Sequence, residues 1–362
     1  MSETWNFTAG PCMMPPQVMR KAQAEFLDYH GAGAGIIELS HRSSEFDALA
    51  KHSAAKLREL MEIPGNYRIL FMQSGGRGQF AAVPLNLLPE QGTADYFITG
   101  HWSRCAFKEC SERFGHAVAH ECTVRDSRGF YHIDYDQMKA TPGAAYAYVC
   151  LNETVNGIEM FDLPVLPEGV PLVADLSSNV LTRRIDVSRF GALIFGVQKN
   201  IAPAGLVIAV VREDLLGHCR RGCPSVLDWT LLNQYDSLFN TPCTFSWYMA
   251  SLVFDWLLEQ GGVPEMEKRA EAKSKLLYDY IDTSDFYRSV IAPRDRSRVN
   301  CPFLLKDDIL NTSFLTSARE DHLLGLKGHK ALGGMRASLY NAMPLEGVKA
   351  LVAFLKDFAA HN

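Results

Sequence analysis

The sequence predicts an α/β fold: a large domain whose mostly parallel sheet lies between helices, followed by a smaller α+β domain. Three observations predict it. From Tyr67 to about Val211, apolar runs of strand length alternate with stretches of helical period, the pattern of a parallel sheet covered on both faces. The runs 171–174 and 192–196 are almost wholly apolar, as strands buried on two faces are. Beyond Asp282 the texture changes to short strands and amphipathic helices. Residues 16–264 are therefore expected to form the large domain, and residues 1–15 with 265–362 the small one.

The elements follow in order. Pro15-Pro16 opens a helix that carries Val18, Ala22 and Phe26 on one face. Residues 43–61 read as a second helix, with Phe46, Leu49, Ala50 and Leu57 as its stripe. A strand at 67–72 runs into Gly75, Gly76 and Gly78, and an apolar helix follows over 79–88. A short strand at 95–99 precedes a helix that starts near His101. Strands are expected at 145–151, 171–174, 192–196 and 206–211. Helices then dominate, an apolar one at 245–260 and a charged amphipathic one at 264–281. The last part holds strands at 297–305 and 335–340 and helices at 317–326 and 346–359.

Composition narrows the class. At 362 residues two domains are the natural reading, and an apolar fraction of 47% provides a large core. A net charge of −5 argues against general attraction to nucleic acid or an anionic membrane. Any anionic ligand must then be gripped by local cations. No apolar run reaches membrane-spanning length, and Met1-Ser2-Glu3-Thr4 lacks the features of a signal peptide. Nine scattered cysteines fit reduced thiols in a cytoplasmic protein. His218, Cys219 and Cys223 have no second ligand pair nearby, so no metal is expected there.

Two strand ends carry the chemistry. Ala192-Leu193-Ile194-Phe195 delivers Lys199, and Leu172-Val173-Ala174 delivers Asp175. Alone, each reads as a solvated loop residue or a cap. Together, at the C-terminal ends of buried strands where open α/β sheets bind ligands, they supply what pyridoxal phosphate needs. The lysine forms a Schiff base, and the aspartate keeps a pyridine nitrogen protonated. A cationic neighbourhood and conversion to an imine are expected to lower the lysine's effective pKa. Ser74-Gly75-Gly76-Arg77-Gly78-Gln79 can present backbone N–H groups to a phosphate at a helix N-terminus. Trp102, in a strand-to-helix loop, can stack on an aromatic ring, and Thr154 can offer it a hydroxyl.

This ordered set resembles the fold-type I aminotransferases that use pyridoxal phosphate, and within their class V the phosphoserine aminotransferase family. The resemblance runs nearly end to end. It is carried by Asn6-Phe7 with Gly10-Pro11, Glu38-Leu39-Ser40-His41-Arg42, Gly75-Gly76-Arg77-Gly78-Gln79-Phe80, Asn152-Glu153-Thr154, Ala174-Asp175-Leu176-Ser177-Ser178, Gln198-Lys199-Asn200, Asn240-Thr241-Pro242 and Gly334-Met335-Arg336-Ala337-Ser338. It implies a seven-stranded sheet in the large domain and pyridoxal phosphate covalently held by Lys199. Asp175 would pair with the ring nitrogen, Trp102 would stack on the ring, and Thr154 would bond near its oxygen. Gly76, Arg77 and Gln198 would hold the cofactor phosphate. Asn240 and Thr241 would reach that phosphate from a partner subunit, which implies a homodimer with shared sites. Arg336 would hold the substrate α-carboxylate. His41, Arg42, Arg77, His329 and Lys330 would surround the distal phosphate or carboxylate.

The activity so implied is amino transfer between L-phosphoserine and 2-oxoglutarate, giving glutamate, in serine biosynthesis. A second substrate, 4-phosphooxy-L-threonine, would belong to pyridoxine biosynthesis. One departure stands out: Lys330 occupies a position where arginine is usual, so charge is kept but the forked geometry is lost. Two other class V activities remain open on the residues alone. A cysteine desulfurase needs a mobile reactive cysteine, and none of the nine is singled out. An alanine–glyoxylate-type aminotransferase has no need of the His41-Arg42 and His329-Lys330 cations. A cofactor-binding regulator without turnover would leave Lys199 and Asp175 unexplained.

Overall fold

Two-faced burial is the physical reason for the apolar runs. In the computed structural model, which describes residues 4–362, six of them pair with one further strand into a seven-stranded sheet. In chain order its strands are β1 (Tyr67–Gln73), β2 (Ala94–Ile98), β3 (Ala117–Glu121), β4 (Tyr146–Cys150), β5 (Leu172–Asp175), β6 (Ala192–Gly196) and β7 (Leu206–Arg212). Across the sheet they lie in the order β1-β7-β6-β5-β4-β2-β3. β7 is antiparallel to both its neighbours, and the other pairs are parallel.

Successive side chains of a strand point to opposite faces. In β7, Leu206, Ile208 and Val210 enter one hydrophobic core, while Val207, Ala209 and Val211 enter another. The first core is closed by the helices Ser44–Met61 and Thr244–Glu259. Phe71 of β1 stacks on Trp247 at 4.2 Å, and the Trp247 indole N–H donates to Ser53 Oγ at 2.6 Å. The second core is closed by Gly76–Leu87, His101–Arg113 and the short helix Trp229–Gln234. Fully burying one such aliphatic or aromatic side chain contributes about 1.5–3 kcal/mol.

Most expected elements sit where the pattern placed them. Ser43 caps the helix Ser44–Met61 by accepting from the Phe46 N–H at 3.2 Å. β3 was not among the expected strands. It is an edge strand, and none of its side chains is fully buried, so its sequence needs no apolar alternation. The expected helix at 317–326 is displaced to Asn311–Glu320. Leu323-Leu324 instead pairs in parallel with Trp5-Asn6. Gly325 then adopts φ +79°, where an added Cβ would meet Thr8 Oγ1 at 2.2 Å.

A third core gathers Trp5 and Phe7 with Leu277, Phe303, Phe314 and Leu351. Around it lie the helices Gly262–Thr283 and Leu345–His361 and a three-stranded sheet of Tyr287–Arg288, Asn300–Leu305 and Met335–Ser338. Residues 1–3, assigned above to the small domain, lie outside the described residues. Lys273 is buried and donates to the carbonyls of Leu339, Tyr340 and Met343 at 2.7–2.9 Å. Burial drives its pKa down to about 7. This clamp holds the turn that follows the strand Met335–Ser338, which carries Arg336. Asn341 in that turn donates its N–H to Asn200 Oδ1 at 2.9 Å, next to Lys199.

Candidate active site

The carboxyl ends of β4, β5 and β6 converge on Lys199. Its Nζ donates to Thr154 Oγ1 at 2.7 Å and lies 5.1 Å from the centroid of the Trp102 ring. Burial lowers the Lys199 pKa from its ordinary value, while Asp175, Cys150 and Glu153 pull it back up. The expected cationic contribution is present but small: Arg336 lowers the pKa, and desolvation is the main cause. Gly10, at φ +150°, lies against the lysine stem; a Cβ there would be 3.5 Å from Lys199 Cγ.

Asp175 is buried at the end of β5, and its Oδ1 accepts from both the N–H and the Oγ–H of Ser177, at 2.8 and 2.6 Å. Ser177 Oγ in turn accepts from the Gly196 N–H at 3.0 Å, which ties the aspartate to β6. The carboxylate is therefore held in one orientation by the two central strands.

Gly75 precedes the helix Gly76–Leu87, and neither Gly75 nor Gly76 has an atom within 4 Å of where a Cβ would project. Backbone N–H groups at that turn are open to an anion. The Arg77 guanidinium carbon stands 6.0 Å from the Trp102 ring centroid. Ser74, just before the cradle, adopts φ +119°, a conformation strained for any residue with a side chain. Ser74→Gly is expected to raise stability by about 1 kcal/mol, read as an upward shift of the thermal unfolding midpoint. A lowered midpoint would mean that the serine hydroxyl outweighs the strain.

Arg336 donates from Nη1 to the Thr154 carbonyl at 3.3 Å, while its Nε is buried without a partner. His329 packs on His101, with ring centroids 4.9 Å apart, and Lys330 beside it is exposed. His101 was not among the expected residues. Its ring also lies 5.1 Å from the Trp102 ring. Burial lowers the His101 pKa, and His329, Arg77, Lys108 and Lys330 lower it further. The signal available for it was position alone: a polar residue in the same strand-to-helix loop as the tryptophan expected to stack on the ring. Glu153 was also missed. It is fully buried, and nothing in an apolar run ending in Asn152-Glu153 tells a buried carboxylate from a solvated one.

Four expected residues are not tied to this lysine by any side-chain hydrogen bond among the described residues. His41 Nε2 is buried without a partner, and burial and Arg42 lower its pKa. Arg42 is exposed, and its N–H is bonded to Ser40 Oγ. Asn240 Nδ2 donates to the Thr241 carbonyl at 3.3 Å, and that carbonyl also accepts from Gln73 Nε2. Among the described residues, the side chains of these four make no hydrogen bond to Lys199, Thr154, Trp102 or Arg336.

The residues present fit pyridoxal phosphate. Trp102 Nε1, Gln198 Oε1 and Arg336 Nε are buried polar atoms without protein partners, and all three belong to the expected set. A planar, phosphorylated, polar-edged ring suits such a lining.

Residues 4–351 match the family described as aminotransferase class-V. Over 366 aligned residues the chain is 47% identical to the phosphoserine aminotransferase of Aromatoleum aromaticum, with the whole of each chain covered. The chain belongs to the phosphoserine aminotransferase family. Solved members of this family share the architecture. The phosphoserine aminotransferase of Bacillus circulans subsp. alkalophilus superposes with a TM-score of 0.94 at 36% identity, covering 99% of both chains. A phosphoserine aminotransferase from Trichomonas vaginalis, solved with pyridoxal phosphate bound, superposes with a TM-score of 0.92 at 35% identity, covering 98% of this chain and 100% of that one. No helix among the described residues is long and apolar enough to cross a membrane.

Proposed function

We propose that this member of the phosphoserine aminotransferase family moves an amino group between L-phosphoserine and 2-oxoglutarate, reversibly and with pyridoxal phosphate bound to Lys199. One observation carries the substrate. Arg77 and His101 lie against Trp102, His329 packs on His101 with Lys330 next to it, and Arg336 bonds to the Thr154 carbonyl, and among the described residues no carboxylate forms an ion pair with any of these five. The cations Arg77, Lys330 and Arg336 call for an anionic ligand, which would also favour protonation of the half-buried His101 and His329, whose pKa values are lowered in its absence, and an amino acid with a second, doubly charged group satisfies them. An alanine-type substrate would leave most of them unpaired.

Each residue then has a task. Pyridoxal phosphate, when bound, supplies the electron sink that stabilises the carbanion left at Cα. Asp175 would pair with the ring nitrogen and favour its protonated form. Trp102 would cover the ring face, and Thr154 would bond to the ring's oxygen substituent. Gly76, Arg77 and Gln198 would hold the cofactor phosphate. Lys199 Nζ, kept largely dry and with its pKa lowered, would take the proton from the substrate Cα and deliver it to the cofactor's C4′. Arg336 grips the α-carboxylate. Arg77, His329, Lys330 and His101 face the distal group, where Lys330 contributes a point charge in place of a fork.

The same reading makes the protein a homodimer. Asn240 and Thr241 reach the partner's cofactor phosphate, and His41 and Arg42 reach the partner's substrate. That, among the described residues, the side chains of these four make no hydrogen bond to Lys199, Thr154, Trp102 or Arg336 of their own protomer supports it. Residues 16–264 act as the cofactor-binding domain, and residues 1–15 with 265–362 as the small domain, a division supported by the separate core around Trp5, Phe303 and Phe314. The enzyme is cytoplasmic and serves serine biosynthesis, with 4-phosphooxy-L-threonine as a second substrate in pyridoxine biosynthesis. Nine free cysteines support the reducing location. The test is direct: the yellow holoprotein mixed with L-phosphoserine will convert to the aminated cofactor's spectrum far faster than with L-alanine. A preference for alanine would reassign the activity to the alanine–glyoxylate type.

A further inference from the structure

We propose that Glu153 is a positioning residue that sets the Trp102 indole over the cofactor site, acting through the backbone of the helix His101–Arg113. The first turn of any α-helix has N–H groups without helical partners. Here Gly100 stands at the cap position and has no side chain to satisfy them. A distant segment does so instead. Glu153 Oε2 accepts from the Trp102 N–H at 2.8 Å. Its Oε1 accepts from the Ser103 N–H at 2.8 Å and from Ser103 Oγ at 2.6 Å. Asn156 Oδ1 accepts from the His101 N–H at 2.9 Å.

The fit is close enough to require glycine at position 100. A Cβ there would lie 2.5 Å from Asn156 Oδ1 and 2.7 Å from Glu153 Cδ. The carboxylate is fully buried, and burial raises its pKa; the three donors and the positive end of the helix act the other way. A group so enclosed is expensive to bury, so its bonds to the helix start are strong and well aligned.

The indole has no polar anchor of its own, because Trp102 Nε1 is buried without a partner. Its place is set by packing and by the backbone at residues 101–103, which the clamp fixes from the segment after β4. The next residue in that segment, Thr154, receives the Lys199 Nζ hydrogen bond. Residues 153 and 154 thus lock the ring-stacking side chain and the lysine in one frame. This step rests on the proposed role of Trp102 against the cofactor ring.

The experiment measures cofactor affinity rather than turnover. Apoprotein carrying Glu153→Ala is titrated with pyridoxal phosphate, alongside Trp102→Ala and the double variant. Glu153→Ala is expected to weaken binding about 10- to 100-fold and to reduce quenching of tryptophan fluorescence by the bound cofactor. In the Trp102→Ala background it is expected to add almost nothing, since both changes remove the same contact. Glu153→Gln, which keeps one acceptor, will fall between. If Glu153→Ala does not fold, Glu153→Gln and Asn156→Ala run the same cycle. Additive losses, or unchanged affinity in the Glu153 variants, overturn the proposal. Neither readout uses phosphoserine, so failure of the substrate assignment would leave this result standing.

Discussion

Lys199→Ala will lower the turnover of L-phosphoserine by about 10⁴-fold, because one side chain both holds the cofactor covalently and moves the Cα proton. The fold will survive the change. Lys199 makes one side-chain hydrogen bond, to Thr154 Oγ1, and its charge is already disfavoured by burial. Its removal therefore leaves no buried carboxylate without its only partner: Asp175 keeps Ser177, and Glu153 keeps the helix start. The measurement pairs stopped-flow spectra of the half-reaction with thermal unfolding. An unaltered unfolding midpoint with turnover lost assigns the residue to chemistry. Turnover within tenfold of the parent would remove Lys199 from the mechanism altogether. Lys199→Arg serves as control: it keeps a cation but cannot readily shed a proton, and it should be no more active than the alanine variant.

Much of this arrangement was legible from residue order alone, and the reasons are physical. Strands covered on both faces must be apolar throughout, so β5 and β6 announced themselves, and with them Asp175 and Lys199 at their ends. Edge strand β3 is free of that demand, and its Ala-Val-Ala-His-Glu carried no signal. The helix near 317 was set too late because Leu323 and Leu324 look like helix positions until Trp5 and Asn6 arrive from the far end of the chain to pair with them. Such pairing is long-range and invisible to local period. The site residues divide in the same way. Those at ends of central strands were readable, whereas Glu153 and His101 matter through what folds against them. The main cause of the lysine's lowered pKa was missed for a related reason. Sequence shows which charges exist, but desolvation depends on the enclosure that the folded chain builds around them.

The second large effect is expected at Arg336. It lies in the strand Met335–Ser338, paired with Pro302 of the neighbouring strand, and its own N–H donates to the Leu326 carbonyl at 2.8 Å. The backbone is thereby fixed, and Nη1 is anchored on the Thr154 carbonyl. A guanidinium so held offers a carboxylate a preset fork, and burial strengthens the grip by excluding water. Each charge-assisted hydrogen bond contributes about 1.5–3 kcal/mol. Arg336→Ala should therefore reduce kcat/KM by about 10²- to 10³-fold. Since every amino-acid substrate carries the α-carboxylate, the loss must be of similar size for L-phosphoserine and for L-glutamate. Arg336→Lys keeps the charge but not the fork and should fall between the parent and Ala. Steady-state kinetics with both donors decides it. A loss confined to phosphoserine would show that Arg336 reads the distal phosphate instead, and the α-carboxylate would then need another partner among Arg77, His101, His329 and Lys330.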